Sequence, residues 1–221
     1  DHPEAKILVL DKASGAASGD TSKSAGAVRN TFTSEVNHLL ADTSLDFYSH
    51  IQRDLKFNLD LEFVGYLWLL TEKEYQVFQG FAKLMTEKGI KLKIWSKEDL
   101  REMVKGLCLE FSSDDAEART LGLENIAVGV QGVKCGTIAP ELVARFYEKE
   151  FKDLGGTIMY DSEVTSLILE PTEKLGLPKE PFIWQDKKIK GVRTKVGDIY
   201  ARTTVIAAGR WANNLLYEVG V

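Results

Sequence analysis

The sequence predicts an α/β protein built on a parallel sheet with a smaller α+β region inserted into it, and three observations lead there. Near the start, Ile7-Leu8-Val9-Leu10-Asp11-Lys12 sets four hydrophobic residues before a carboxylate, the pattern of a buried parallel strand that delivers one charge to the rim of a sheet. Near the end, Thr203-Thr204-Val205-Ile206-Ala207-Ala208-Gly209-Arg210-Trp211 reads as a second buried strand that breaks into small residues. Between them, from Leu59 onward, strand, helix, strand and short helix alternate in a way that suits an insertion better than continued winding of one sheet.

Composition narrows the classes of function. With 221 residues, 44% of them hydrophobic, the chain can bury a substantial core in one large or two small domains. A net charge of −5 and a pI near 5.4, without a local basic patch, argue against nucleic acid and for a small-molecule partner. Cys108 and Cys135 lie far apart with no CxxC, so neither a metal site nor a disulfide framework is indicated, and a reducing, cytoplasmic compartment fits best. Attachment to the periphery of a membrane stays open, but no apolar run approaches the roughly twenty residues of a transmembrane segment. Asp1-His2-Pro3-Glu4-Ala5 leads straight into a strand, so the chain is expected to start in the middle of a domain.

The elements follow in order. Ala13 to Arg29 is a small-residue loop whose bare backbone can approach a ligand closely. Ser34 to Leu55 reads as a helix capped by Ser34 or Thr33, with Val36, Leu39, Leu40, Thr43, Phe47, Ile51 and Leu55 as its apolar face. His38 and His50, three turns apart on it, read as surface or packing residues. Leu61 to Leu70 is a strand; Thr71 caps a second helix with Tyr75, Phe78, Phe81, Ala82 and Met85 inward and Gly89 at its end. Ile90 to Trp95 is a strand, Ser96 with Asp99 a capping box for a helix through Val104, Ser112 to Glu117 an acidic loop, and Ile126 to Val133 a strand. Pro140 opens a helix that Gly155-Gly156 ends. Strands are expected over Thr157–Tyr160 and Glu163–Leu169, a loop over Pro171–Pro181, and a meander of Phe182–Gln185, Ile189–Thr194 and Asp198–Ala201.

Taken together, the acid-ended strand, the loop running into Ala25-Gly26-Ala27-Val28-Arg29, the insertion, the Glu163-Val164 strand, the meander and Val205-Ile206-Ala207-Ala208-Gly209-Arg210-Trp211 resemble the FAD-dependent D-amino acid oxidase superfamily. Gly19 to Phe32, Val64-Gly65-Tyr66-Leu67 and Trp211-Ala212-Asn213 are most similar to its amine-oxidising branch of sarcosine and glycine oxidases and archaeal dye-linked proline dehydrogenases. The resemblance implies a Rossmann-like FAD-binding domain of the glutathione-reductase type, discontinuous over residues 1–57 and 136–221, with a substrate-domain insertion over 58–135. Members of the family open with a GxGxxG turn for the FAD pyrophosphate and continue beyond a point matching Val221, so the chain is expected to be incomplete at both ends.

Site residues are carried over one at a time. Asp11, with Lys12, is expected to take the ribose hydroxyls of the adenosine half, against a reading as a solvated strand-end acid. Ser18, Ser24, Ala25 and Gly26 are expected along the flavin phosphates and ring edge, where residue types alone would suggest a flexible loop. Arg29 is placed near the flavin ring to orient a carboxylate or stabilise negative charge on the reduced flavin, against a helix-start salt bridge. Val164 would meet the adenine through its backbone or be a plain core valine; Ala207, Ala208 and Gly209 approach the cofactor, and Trp211 packs beside it or stands as a half-buried aromatic. Tyr66 and Trp68 could face a substrate cavity or the core.

The implied function is FAD-dependent oxidation of a small secondary amine or amino acid, such as proline, sarcosine or glycine, by hydride transfer to flavin. Oxidation of a 2-hydroxy acid or of glycerol 3-phosphate is the alternative in the same superfamily. A non-catalytic fragment or subunit-interaction module, completed by a partner or an oligomer, is the alternative of another class. The sequence contains no Ser/His/Asp arrangement, metal-ligand spacing or P-loop, and it leaves oxygen and a dye-like carrier both open as electron acceptor.

Overall fold

The structure, a computed structural model, describes residues 4–112 and 114–220. The lead-in Asp1-His2-Pro3, Ser113 of the acidic segment and the terminal Val221 lie outside the described residues.

Along the chain, β1 (Leu8–Leu10) is followed by the loop, which holds a 3-10 turn at Thr21–Lys23 and ends in β2 (Ala27–Arg29). Then come α1 (Glu35–Arg53), β3 (Tyr66–Leu70), α2 (Glu72–Glu87), β4 (Leu92–Trp95), α3 (Lys97–Met103) and α4 (Ala116–Leu121). Next are β5 (Val128–Gly132), β6 (Cys135–Thr137), α5 (Pro140–Asp153), β7 (Thr157–Met159), β8 (Val164–Pro171), β9 (Lys187–Thr194), β10 (Gly197–Tyr200) and α6 (Ala212–Leu216), the last preceded by a 3-10 turn at Gly209–Trp211. These elements form two compact units, one holding the residues up to Ser22 and those from Ala144 on, the other running from Lys23 to Val143.

In the first unit β1 pairs in parallel with β7, Leu8 opposite Thr157 and Leu10 opposite Met159. A parallel pair cannot be closed by a hairpin, and the long connection between the strands meets that requirement. The strands β8, β9 and β10 form an antiparallel meander in which Leu167 and Val192 are buried. Two expectations are corrected. Ile7, Leu8 and Val9 are exposed, because among the described residues β1 has one neighbouring strand and no covering layer. No strand forms over residues 203–208, where Val205 is 83% exposed; no neighbouring ladder receives that backbone among the described residues. Phe182–Gln185 is likewise a turn and not a strand: the buried Gln185 accepts from the Phe182 amide through Oε1 at 2.7 Å and donates to the Glu173 carbonyl at 3.3 Å, replacing a ladder.

In the second unit β5 is the central strand of an antiparallel sheet, flanked by β3 and β4, with Val130 opposite both Trp68 and Ile94. Val130, Cys135, Leu100, Leu59 and Ile51 are its most deeply buried side chains. Helix starts follow the expected chemistry: Ser34 caps α1, and Thr71 with Glu74 and Ser96 with Asp99 form reciprocal capping boxes on α2 and α3. The acidic segment is only partly loop, because Asp115 accepts from the Glu117 and Ala118 amides and starts α4. The short pair β2 and β6 was not expected; three residues are too few to show periodicity.

The largest correction concerns α1. Val36, Leu39, Leu40, Phe47 and Leu55, expected inward, are exposed, with Leu39 at 61%, while the buried side runs through Leu45 and Ile51. That side also carries the half-buried His38 and Asp42. Both are held there by polar contacts, His38 to the Asn30 carbonyl and Asp42 to the Asn30 amide and Lys134.

Candidate functional site

In the first unit the end of β1 is locked to the segment after β7. The Asp11 amide donates to the Met159 carbonyl at 3.0 Å, and its carbonyl accepts from the Ser162 amide at 2.8 Å. Ala13 accepts in turn from the Asp161 amide at 3.0 Å. These bonds leave the Asp11 side chain half-buried at the C-terminal end of the parallel pair, with Oδ1 accepting from the Ala13 amide at 2.9 Å. Because a carboxylate has more acceptor sites than this one bond uses, it retains capacity for a vicinal diol.

Lys12 and Trp211 meet: the ammonium stands 4.1 Å from the indole centroid, and the Arg210 guanidinium carbon lies 4.4 Å from the same ring. Two cations thus flank one indole, and Arg210 also lies 4.0 Å from Asp20 Oδ2. Ala207 is exposed, Ala208 half-buried, and Gly209 takes a positive φ of 53° to open the 3-10 turn that ends in Trp211. The Ser18 hydroxyl donates to the Gly15 carbonyl at 2.8 Å, a bond internal to the loop. Val164 is half-buried as the first residue of β8, opposite Thr194.

Residue patterns gave no sign of Tyr160, which the fold places among these groups. Burial, reinforced by its hydrogen bond to the Glu148 carboxylate and by the nearby charges of Glu148 and Asp11, pushes the phenol pKa up, while the Ala16 amide donates to it. Glu148 is held below the ordinary carboxylate range by Lys152, 2.5 Å away, and by Tyr160. The chain Lys152, Glu148, Tyr160, Ala16 thus ties α5 to the bare loop.

In the second unit the loop is pinned just before β2. The Ser24 hydroxyl accepts from the Gly26 amide at 3.1 Å, and the Gly26 carbonyl accepts from the Ile138 amide at 2.9 Å. Gly26 is buried with a φ of 65°, and a Cβ there would fall 2.1 Å from the Ile138 carbonyl oxygen. Ala25 is exposed beside it. Arg29 closes β2, exposed, its guanidinium carbon 4.9 Å from the Phe32 ring; the helix-start salt bridge finds no partner among the described residues.

The next residue is held from several sides. Asn30, 4% exposed, donates through Nδ2 to Asp42 Oδ1 at 2.8 Å, and its carbonyl accepts from His38 Nδ1 at 3.1 Å. Lys134 donates to Asp42 Oδ1 at 2.9 Å and to Asp46 Oδ1 at 2.7 Å. Burial pushes the Asp42 carboxyl up, but the bonds from Lys134 and Asn30 outweigh it and hold the group below its ordinary range; Lys134 is correspondingly raised.

A folded-state pKa below the unfolded value of 3.8 means that Asp42 stabilises the fold above that value and that this contribution is lost as pH falls through the folded pKa. The urea midpoint is therefore expected to drop more steeply in the natural chain than in Asp42→Asn as the pH falls below 3.8. Equal slopes would remove this role from Asp42.

Among the described residues no cluster of His, Cys, Asp and Glu suits a metal ion, and no helix is long and apolar enough to cross a membrane.

A family model described as FAD dependent oxidoreductase matches residues 2–220. Among solved structures, L-proline dehydrogenase from P. horikoshii superposes with a TM-score of 0.71 at 19% identity, over 98% of this chain and 56% of that one. For glycine oxidase from Geobacillus kaustophilus the values are 0.66, 20%, 99% and 52%. For L-amino acid deaminase from Proteus vulgaris they are 0.68, 14%, 98% and 44%. At these identities the likeness is one of fold, and the chain spans about half the length of the solved chains it matches. A search of the curated proteins returns no match.

Proposed function

Because the chain belongs to the family of FAD-dependent oxidoreductases, we infer that it builds part of an enzyme oxidising a small secondary amine or amino acid of the proline, sarcosine or glycine type. The observation that carries this reading is Asp11: a carboxylate at the C-terminal end of a parallel strand, beside Lys12 and a loop without bulky side chains, has the chemistry that grips an adenosine ribose. Asp11 and Lys12 would hold the ribose end, Ala207, Ala208, Gly209 and Trp211 would wall the cofactor, and Val164 would lie by the adenine. Ser18, Ser24, Ala25 and Gly26 would carry the bare backbone along the flavin side. FAD, when bound, supplies the hydride acceptor.

The protein's own part is alignment and charge. Arg29, exposed and without an ion pair among the described residues, is available to bind a substrate carboxylate through paired N–H donors and so present the carbon next to the amine. In this reading residues 1–57 and 136–221 serve the cofactor and 58–135 the substrate. The names of the matched solved proteins, which act on proline, glycine and L-amino acids, support an amino acid over a hydroxy acid.

Titration of the purified chain with FAD tests the reading. A yellow complex is expected, with affinity at least tenfold weaker in Asp11→Ala, since a lost hydrogen-bonded carboxylate is worth about 1.5–3 kcal/mol. Dye reduction is expected with L-proline, sarcosine or glycine and not with 2-hydroxyglutarate or glycerol 3-phosphate. Unbound FAD would overturn the cofactor reading for this chain; reduction by the hydroxy compounds alone would overturn the substrate class.

A further inference from the structure

We propose that Asn30, Asp42 and Lys134 are positioning residues for Arg29, a polar clamp that sets where its guanidinium stands. The proposal rests on the reading of Arg29 as the substrate-carboxylate ligand and names the groups that make that ligand work.

Arg29 is the last residue of a strand only three residues long, whose sole ladder partner among the described residues is β6, so the strand alone orients it weakly. The next residue supplies what is missing. Asn30 is almost fully buried and used at both ends: its side-chain amide reaches Asp42, and its carbonyl takes His38 Nδ1 and the Phe32 amide, the latter at 2.9 Å. His38, Asp42 and Asp46 recur every fourth residue of α1 and therefore lie along one face. That face meets the turn between β5 and β6, where Lys134 bridges Asp42 and Asp46. Cys135, adjacent to Lys134, pairs directly with Arg29 across β2 and β6, and its thiol lies 3.9 Å from the Thr31 hydroxyl.

Asn30, next to Arg29 in the chain, and Cys135, opposite it across the ladder and next to Lys134, are thus both tied to one ion-pair network, while Arg29 itself has no ion pair among the described residues. Half-buried charges are costly unless matched, and here the half-buried Asp42 and Lys134 match each other, with the Asn30 amide as second donor to Asp42 and the exposed Asp46 as second acceptor for Lys134. The same network explains why α1 turns its polar stripe inward and its larger hydrophobic residues outward. Such an expensive arrangement, one residue from the exposed arginine, is a means of holding a charged ligand group within the small tolerance that substrate alignment demands.

The test uses the FAD-loaded protein with Asp42→Asn, Lys134→Met and the conservative Asp42→Glu. KM for L-proline is expected to rise about tenfold in the first two with kcat within about threefold, because only ground-state and transition-state binding shared by the carboxylate is lost. Asp42→Glu should recover part of it. In an Arg29→Ala background Asp42→Asn should change KM by less than about twofold, the non-additivity expected of residues acting through one group. Equal effects with and without Arg29, or a fall in kcat at constant KM, would overturn the proposal. Hydrogen exchange of the amides over residues 27–31 should accelerate at least tenfold in Asp42→Asn while β3 to β5 stay protected. That measurement decides the clamp even if the natural protein oxidises no amine: unchanged exchange there would overturn the clamp, whereas absent turnover alone would overturn only the functional reading.

Discussion

Replacing Gly26 with alanine is expected to destabilise the chain by about 2–5 kcal/mol and to weaken FAD binding with it. Two penalties coincide at this position. Its φ of 65° is the left-handed region that a Cβ disfavours, and that Cβ would stand 2.1 Å from the Ile138 carbonyl oxygen and 3.3 Å from Pro140 Cδ. Neither neighbour can move away cheaply. Ile138 is buried and donates its own amide to the Gly26 carbonyl at 2.9 Å, so the loop and the start of α5 are joined where the clash falls. Urea unfolding measures the first effect and flavin titration the second; a loss below about 1 kcal/mol would mean that the loop relaxes freely and that its close approach is not required.

Removing the Arg29 guanidinium should have the largest effect on activity. For Arg29→Ala, kcat/KM for L-proline is expected to fall about 100- to 1000-fold, equal to about 3–4 kcal/mol for a bidentate charge-assisted pair. Pyrrolidine, which keeps the amine and lacks the carboxylate, should be oxidised at nearly the same low efficiency by both proteins. Arg29→Lys should restore only part of the loss, since an ammonium cannot present two parallel donors. Should the two substrates lose equally, Arg29 would serve charge on the cofactor side and not the substrate.

Much of the fold was legible because its signals are local. Ser34, Thr71 and Ser96 cap helices through bonds that reach three residues ahead, and Gly89 and Gly155 end them with positive φ. The meander of β9 and β10 follows from a short turn between extended runs. The candidate site was legible only in part. Asp11 and Arg29 are marked by the company of a strand and a bare loop, whereas Tyr160 and Lys134 carry no mark at all until the chain has folded. A spacing of four among His38, Asp42 and Asp46 was present throughout, yet the same helix carries a stronger apolar stripe, and hydrophobic periodicity favoured the wrong face.

The sequence by itself determined where the capped helices begin, that an acid follows β1, and that a backbone with few large side chains runs from there to Arg29. These depend on interactions between near neighbours in the chain. Tertiary structure decided which face of α1 is buried, that β1 pairs with β7 and stays open to solvent, and which groups surround each candidate residue. Lys134 reaches Asp42 across ninety-two residues of sequence, and the net gain of such a pair depends on the burial and geometry of both groups, which only the assembled fold supplies.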